Sequence, residues 1–273
     1  MEDRITPRLL AAGLSILLLV PGSGPAAACR EEGQDGASVI CPVWMEPGAA
    51  APAAAVFGFP VSVPGISKYN SDCHPSLTAD GRLMFFQASR NNGPPYDGVW
   101  YGGQGFNLYS ARWNGTAWDS VVNLGPGVNQ ASLCSISAGG DSLFFSKAGI
   151  WMSIWNGSSW PAGVRLPAPI NVVGASSDAP FLLRDGVTLY FVSTRTGGYG
   201  GNDIWIGRWN GTAWTVTNAG PGVNTPASET RPAVSPDGTK LYFSDFGGTR
   251  RGGVSYGDCD LFVSEWTGSA WGP

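Results

Sequence analysis

The chain is short of charge. Only 13% of its 273 residues are Asp, Glu, Lys or Arg, about half the usual share. It has one histidine, His74, so metal hydrolysis built on clustered histidines is excluded. A Ser-His-Asp triad would have to use that imidazole, and no Gly-x-Ser-x-Gly elbow accompanies it. Basic residues are in deficit: the formal net charge is -4, so the cationic footprint that a phosphate backbone requires is missing and nucleic acid is excluded as a partner. The apolar run from Leu9 to Val20 is too short to cross a bilayer.

What is present is unusual. The chain holds 40 Gly, 21 Pro and 12 Trp, and 43% of it is hydrophobic. That mix is unlike a helical bundle or a coiled coil, which draw on Ala, Glu, Lys and Leu. Disorder is equally excluded, because 12% of the residues are aromatic and disordered chains lack aromatics. Many turn formers and many aromatics together imply short strands.

The N-terminus reads as an address. Arg4 and Arg8 precede the apolar run, Pro21 to Pro25 breaks it, and Ala26-Ala27-Ala28-Cys29 follows as a small-residue cleavage site. Residues 1–28 are expected to be a signal peptide, 29–55 a flexible tether rich in Ala, Pro, Gly and Glu, and 56–273 the folded domain. Export to the periplasm or the cell surface follows. Cys29 resembles the lipid-acceptor position of a bacterial lipoprotein, which would make a lipid anchor the only membrane contact; plain secretion is the alternative.

An eleven-residue frame recurs without gaps at Ser76–Phe86, Ser135–Phe145, Phe181–Phe191 and Ala233–Phe243, its starts 59, 46 and 52 residues apart. Three of the four copies carry Asp-Gly at the fifth and sixth positions (Asp80, Asp185, Asp237), and Gly139-Gly140 stands there in the second. A second frame follows each copy, with Trp-Asn-Gly or Trp-Thr-Gly before a further Trp: Trp113 and Trp118, Trp155 and Trp160, Trp209 and Trp214, Trp266 and Trp271. Asp-Gly and Asn-Gly supply the positive φ of tight turns, with apolar alternation between them. Four short strands about every 50 residues make a propeller blade. A lone blade cannot bury both faces, so blades must stack about an axis. The expected fold is therefore all-β: a β-propeller of four four-stranded blades. The segment Phe57 to Ile66 matches the linker after each other repeat, so an N-terminal strand is expected to close the last blade. The rival is an incomplete array closed by dimerisation.

The string Arg231-Pro-Ala-Val-Ser-Pro-Asp-Gly-Thr-Lys-Leu-Tyr-Phe-Ser244, with Gly197-Gly-Tyr-Gly-Gly-Asn-Asp203-Ile-Trp205, resembles the WD-repeat-like β-propeller family of TolB type. The resemblance covers residues 57 to 273. It implies a binding or docking platform and carries over no catalytic motif.

Function is expected on the face bearing the linkers and the loops between second and third strands, since variable loops on a rigid scaffold usually carry it. Aligned on the frame, Asp72, His74, Asp178, Glu229 and Arg231 fall near the starts of the innermost strands. They are candidates for a polar ligand or cation site at the channel mouth; the alternative is an ion-paired plug that fixes blade order. The loops add Tyr96, Trp100, Tyr101, Arg195, Tyr199, Arg250 and Tyr256 as candidate partner contacts. Asp203, Asp260 and Asn107 precede third strands and are read as loop caps, with calcium bound by their oxygens as the alternative. No other cofactor is implied. Five cysteines in an exported chain suggest disulfides; Cys73–Cys259 is the first candidate pair and Cys73–Cys134 the second. The leading functional reading is non-enzymatic binding of an envelope protein or a glycan. The alternative is a carbohydrate-active enzyme, a glycoside hydrolase or lyase, using Asp72, Asp178 and Glu229 as paired carboxylates.

Overall fold

The computed structural model describes residues 28–30, 38–40, 63, 66, 72–89, 106–246 and 259–273. The chain is all-β there. A short ribbon comes first, β1 (Ala28–Arg30) paired antiparallel with β2 (Ser38–Ile40), starting at the last residue of the expected signal peptide and running into the stretch read as a tether. Four antiparallel sheets follow and are arranged as a four-bladed β-propeller. Blade 1 is β3 (Asp72–Leu77), β4 (Leu83–Ser89), β5 (Phe106–Trp113) and β6 (Trp118–Asn123). Blade 2 is β7 (Ser132–Ile136), β8 (Ser142–Ser146), β9 (Ile150–Ile154) and the two-residue β10 (Val164–Arg165). Blade 3 is β11 (Ser177–Leu182), β12 (Thr188–Ser193), β13 (Asp203–Trp209) and β14 (Trp214–Asn218). Blade 4 is β15 (Ser228–Val234), β16 (Lys240–Phe246) and β17 (Leu261–Glu265). Its fourth strand is represented by the bridge between Trp266 and Trp271. Residues 57–62, expected to complete that blade, lie outside the described residues.

The turns form as their residues require. Gly81, Gly140, Gly186 and Gly238 hold φ between 65° and 78° at the first hairpin of each blade, a conformation glycine adopts without steric cost. Asp80 accepts the amide of Arg82 and the Thr78 hydroxyl. Asp185 accepts the amides of Val187 and Thr188. In blade 2, where Gly139 takes the aspartate's place, Asp141 accepts the Ser137 hydroxyl instead. At the second hairpins Asn114, Asn156 and Asn210 each use Oδ1 to accept the amides two and three residues on.

The core lies between blades. Phe85 and Leu108 of blade 1 pack with Cys134, Leu143, Phe145 and Trp160 of blade 2. Phe144 and Ile150 pack with Leu182, Leu189 and Phe191 of blade 3, and Tyr190, Ile204 and Ile206 with Val234, Leu241, Phe243 and Trp271 of blade 4. The linkers drive one apolar side chain into each seam: Val128, Ile170 and Val223 are all 0% exposed. Burying each contributes about 1.5–3 kcal/mol. The second Trp of the blade motif packs inward, as at Trp118, Trp160 and Trp271, at 5.5, 5.4 and 5.3 Å from its inclined partner indole.

One seam differs. β3 lies against β7, β7 is beside β11, and β11 is beside β15, but among the described strands β15 does not lie against β3. Leu261 and Val263 on β17 are 59% and 49% exposed, whereas Leu108 and Ile204, at the place of Leu261 in blades 1 and 3, are 0% exposed. On the other side of this seam Val63 and Ile66 are buried against Met84, Phe86, Tyr109 and Trp118. The amide of Ile66 bonds to Val63 O, the same turn that Val128, Ile170 and Val223 make in the later linkers.

Candidate functional site

Every innermost strand carries the same irregularity. The pairing register of β3, β7, β11 and β15 slips by a bulge, between Cys73 and Ser76, Ser132 and Ser135, Asp178 and Phe181, and Thr230 and Ala233. One residue of each bulge is left-handed: His74, Leu133, Ala179 and Arg231, with φ between 48° and 55°. These are the four residues that the frame aligns. Proline follows three of them (Pro75, Pro180, Pro232), and a bulge is where a strand tolerates a residue without N–H. The bulge re-aims the chain at the start of each inner strand.

The channel-mouth candidates are separated by depth. Glu229, 0% exposed, is cross-strand from the buried Asp245. Its Oε1 accepts the amide and hydroxyl of Thr225, and its own amide bonds to Asn202 O at 2.8 Å. Asp72, at the same position of blade 1, is buried too. His74 and Arg231 are half-buried, and Asp178 is exposed, accepting the next residue's amide. The set is thus two buried carboxylates, one exposed carboxylate and two half-buried bases.

Of the loop candidates, Tyr96, Trp100, Tyr101, Arg250 and Tyr256 lie outside the described residues. Arg195 turns inward. Its Nη1 donates to Pro169 O and its Nη2 to Ile170 O, its Nε bonds to Ser193 Oγ, and the guanidinium lies over the rings of Phe191 and Trp205. Burial lowers its pKa to about 10. It clamps the linker between blades 2 and 3. Tyr199 points out, 48% exposed, on a loop pinned from beneath. Asp203, 1% exposed, accepts the Tyr199 amide at 2.9 Å and the Gly200 amide at 3.4 Å. The amide of Gly201 bonds to Ala227 O across to the next linker.

Asp203 therefore caps loop backbone, as does Asn107, which accepts the Gln130 amide. Asp260 donates its amide to Asp245 Oδ1. Among the described residues no group of three or more His, Cys, Asp or Glu is placed to hold a metal. Neither candidate pair, Cys73–Cys259 or Cys73–Cys134, is joined by a disulfide in this structure. Cys73 is buried on β3 beside Gln87, while Cys259 is half-buried ahead of β17, across the seam where β3 and β15 do not meet.

The structure adds residues that the repeat reading passed over. Asn171 and Asn224, each after the buried linker residue, bind both backbone groups of the facing third-strand residue, Ile150 and Ile204. Gln87 and Ser146, immediately after their frames, accept the amides of Leu133 and Ala179 in the following blade. Ser76 and Ser135 accept those of Ile136 and Leu182. The signal was recurrence of Asn after Val or Ile in the linkers.

No protein-family model matches the chain, and no curated protein does. Solved structures similar to it include TolB from Acinetobacter baumannii, at 16% identity over 70% of this chain and 40% of that one, with a TM-score of 0.44. A putative TolB from Agrobacterium tumefaciens matches at 16% identity over 70% of this chain and 76% of that one, TM-score 0.40. An α-L-arabinofuranosidase from Podospora anserina in complex with cellotriose matches at 11% identity over 74% and 66%, TM-score 0.43. The chain spans less than half the length of the Acinetobacter TolB.

Proposed function

We propose that this chain is an exported, envelope-attached β-propeller of the WD-repeat-like type that binds a protein or glycan partner through its linker-and-loop side, without turnover. The observation that carries the reading is Tyr199: an exposed aromatic on a loop whose backbone is pinned by the buried Asp203 carboxylate. A loop whose backbone is held this way loses little freedom on binding, which is how preorganised aromatic anchors gain affinity. The N-terminal leader supports export, and Cys29 the anchor. The acidic, weakly charged composition suits a neutral or hydroxylated partner better than an anionic one.

The enzyme reading asks for two carboxylates that reach the substrate. Asp178 reaches solvent, but Glu229 is fully buried and already bonded to Thr225. Ordering of blade 4 suits Glu229 better than catalysis.

The test is capture from a native envelope extract and from a glycan array by wild type and Tyr199→Ala. The variant should lose at least tenfold in apparent affinity for the captured partner, with an unchanged melting temperature. Equal capture by both proteins would remove Tyr199 from the interface. Hydrolysis of a glycan panel by wild type but not by Asp178→Asn would replace the binding reading with the enzymatic one.

A further inference from the structure

Two buried thiols lie where blade 1 packs on blade 2. Cys73, 2% exposed, is on β3, and Cys134, 6% exposed, is on the neighbouring β7. One side chain reaches both neighbourhoods: the Gln87 amide donates to Cys73 Sγ at 3.0 Å and accepts at 2.7 Å the amide of Leu133, the residue before Cys134. Each cysteine also adjoins its strand's bulge, next to left-handed His74 in one case and left-handed Leu133 in the other. Burial, with a smaller push from the neighbouring Cys73, raises the Cys134 thiol to about 12. With no third metal-binding side chain grouped with them among the described residues, the pair lacks a zinc ligand set.

We propose that Cys73 and Cys134 are a dithiol–disulfide pair, and that oxidation staples the first blade to the second. The oxidant is a disulfide donor, small-molecule or protein. One cysteine thiolate attacks a donor sulfur and expels the other as a thiolate; the second cysteine then attacks the protein sulfur and expels the remaining donor sulfur. Two protein S–H bonds and one donor S–S bond are lost. One protein S–S bond and two donor S–H bonds form, so the donor takes up two electrons and two protons. The attacking species is a thiolate, and burial suppresses it at Cys134 in the folded chain. The bond therefore forms while the chain folds, and the folded dithiol resists oxidation. The link would join cysteines 61 positions apart and restrict the unfolded chain accordingly.

The experiment refolds the reduced full chain with and without oxidised glutathione, then denatures it, alkylates it and maps the peptides. Refolding with the donor should yield a linked Cys73–Cys134 peptide, with both sites spared from alkylation. Adding the donor only after folding should leave both alkylated. Cys259→Ser should keep the link and Cys134→Ser should lose it. The oxidised wild type should melt several degrees above its dithiol form, a difference absent in Cys134→Ser. Full alkylation of both cysteines after refolding with donor, a dominant link from Cys73 to another cysteine, or loss of the fold only in the oxidised wild type would overturn the proposal.

Discussion

Asp80 and Asp237 do the same work at opposite ends of the repeat series. Each heads a first-hairpin turn and is held below its ordinary value of 3.8, mainly by the hydroxyl two residues before it, Thr78 for Asp80 and Ser235 for Asp237. The folded chain thus prefers the ionised carboxylate. The stabilisation is complete above the ordinary value and is lost as pH falls through the lower, folded value. Both groups are largely exposed, so the effect is small. Melting temperature should fall less steeply below about pH 4 in an Asp80→Asn, Asp237→Asn double variant than in wild type. A wild-type slope matched by the double variant would remove the turn carboxylates as its source. Asp203 belongs to the same scale: its position ahead of a third strand marked it as a cap, and its two oxygens accept two loop amides.

Between elements, the linkers do most of the joining. Two of them pass very close to the outer edge of the next blade: a Cβ on Gly127 would stand 2.5 Å from Trp160 O and 2.7 Å from the carbonyl carbon of Pro161, and one on Gly222 would stand closer still to Trp271 O. None of these atoms is the end of a movable side chain, so Gly127→Ala must push linker and strand apart. The expected cost is about 1–3 kcal/mol, read from urea unfolding at unchanged m-value. Gly125, two residues earlier in the linker, meets nothing within 4 Å but has φ of 93°; its replacement is penalised by backbone conformation rather than by contact. The bulges are the other shared device. Frame alignment grouped His74, Leu133, Ala179 and Arg231, and they share one backbone conformation despite four unlike side chains. The repeated feature is the chain's path, and the side chains at its crest are free to diverge.

At the scale of the whole molecule the contrast is energetic: equivalent positions of different blades are buried to very different extents. Ile204 and Leu261 hold the same place in the repeat, yet one is 0% and the other 59% exposed. Ile204→Ala should cost about 2–5 kcal/mol, as cavity-forming substitutions do, whereas Leu261→Ala should stay within about 1 kcal/mol. Equal costs, measured by chemical denaturation, would show that something covers β17 in solution. Cooperative unfolding is expected across blades 1 to 4, because each of the three packed seams shares a continuous apolar cluster.

The amino-acid order by itself determined the number of blades, their hairpins and the pairs of tryptophans, because these depend on contacts a few residues apart: a Gly at a turn, an Asn two and three residues before the amides it binds, a Trp opposite a Trp. It also placed Asp72, Asp178 and Glu229 near the starts of inner strands. Depth was decided only by the tertiary structure. Glu229 is sealed beside Thr225 while Asp178 stays in solvent, Arg195 folds back onto a linker, and Cys73 faces the second blade rather than Cys259, since each outcome depends on which blade packs against which. Local turn chemistry repeats with the sequence, but the packing of a seam depends on two blades at once, and among the described strands the last blade and the first do not meet as the other blades do.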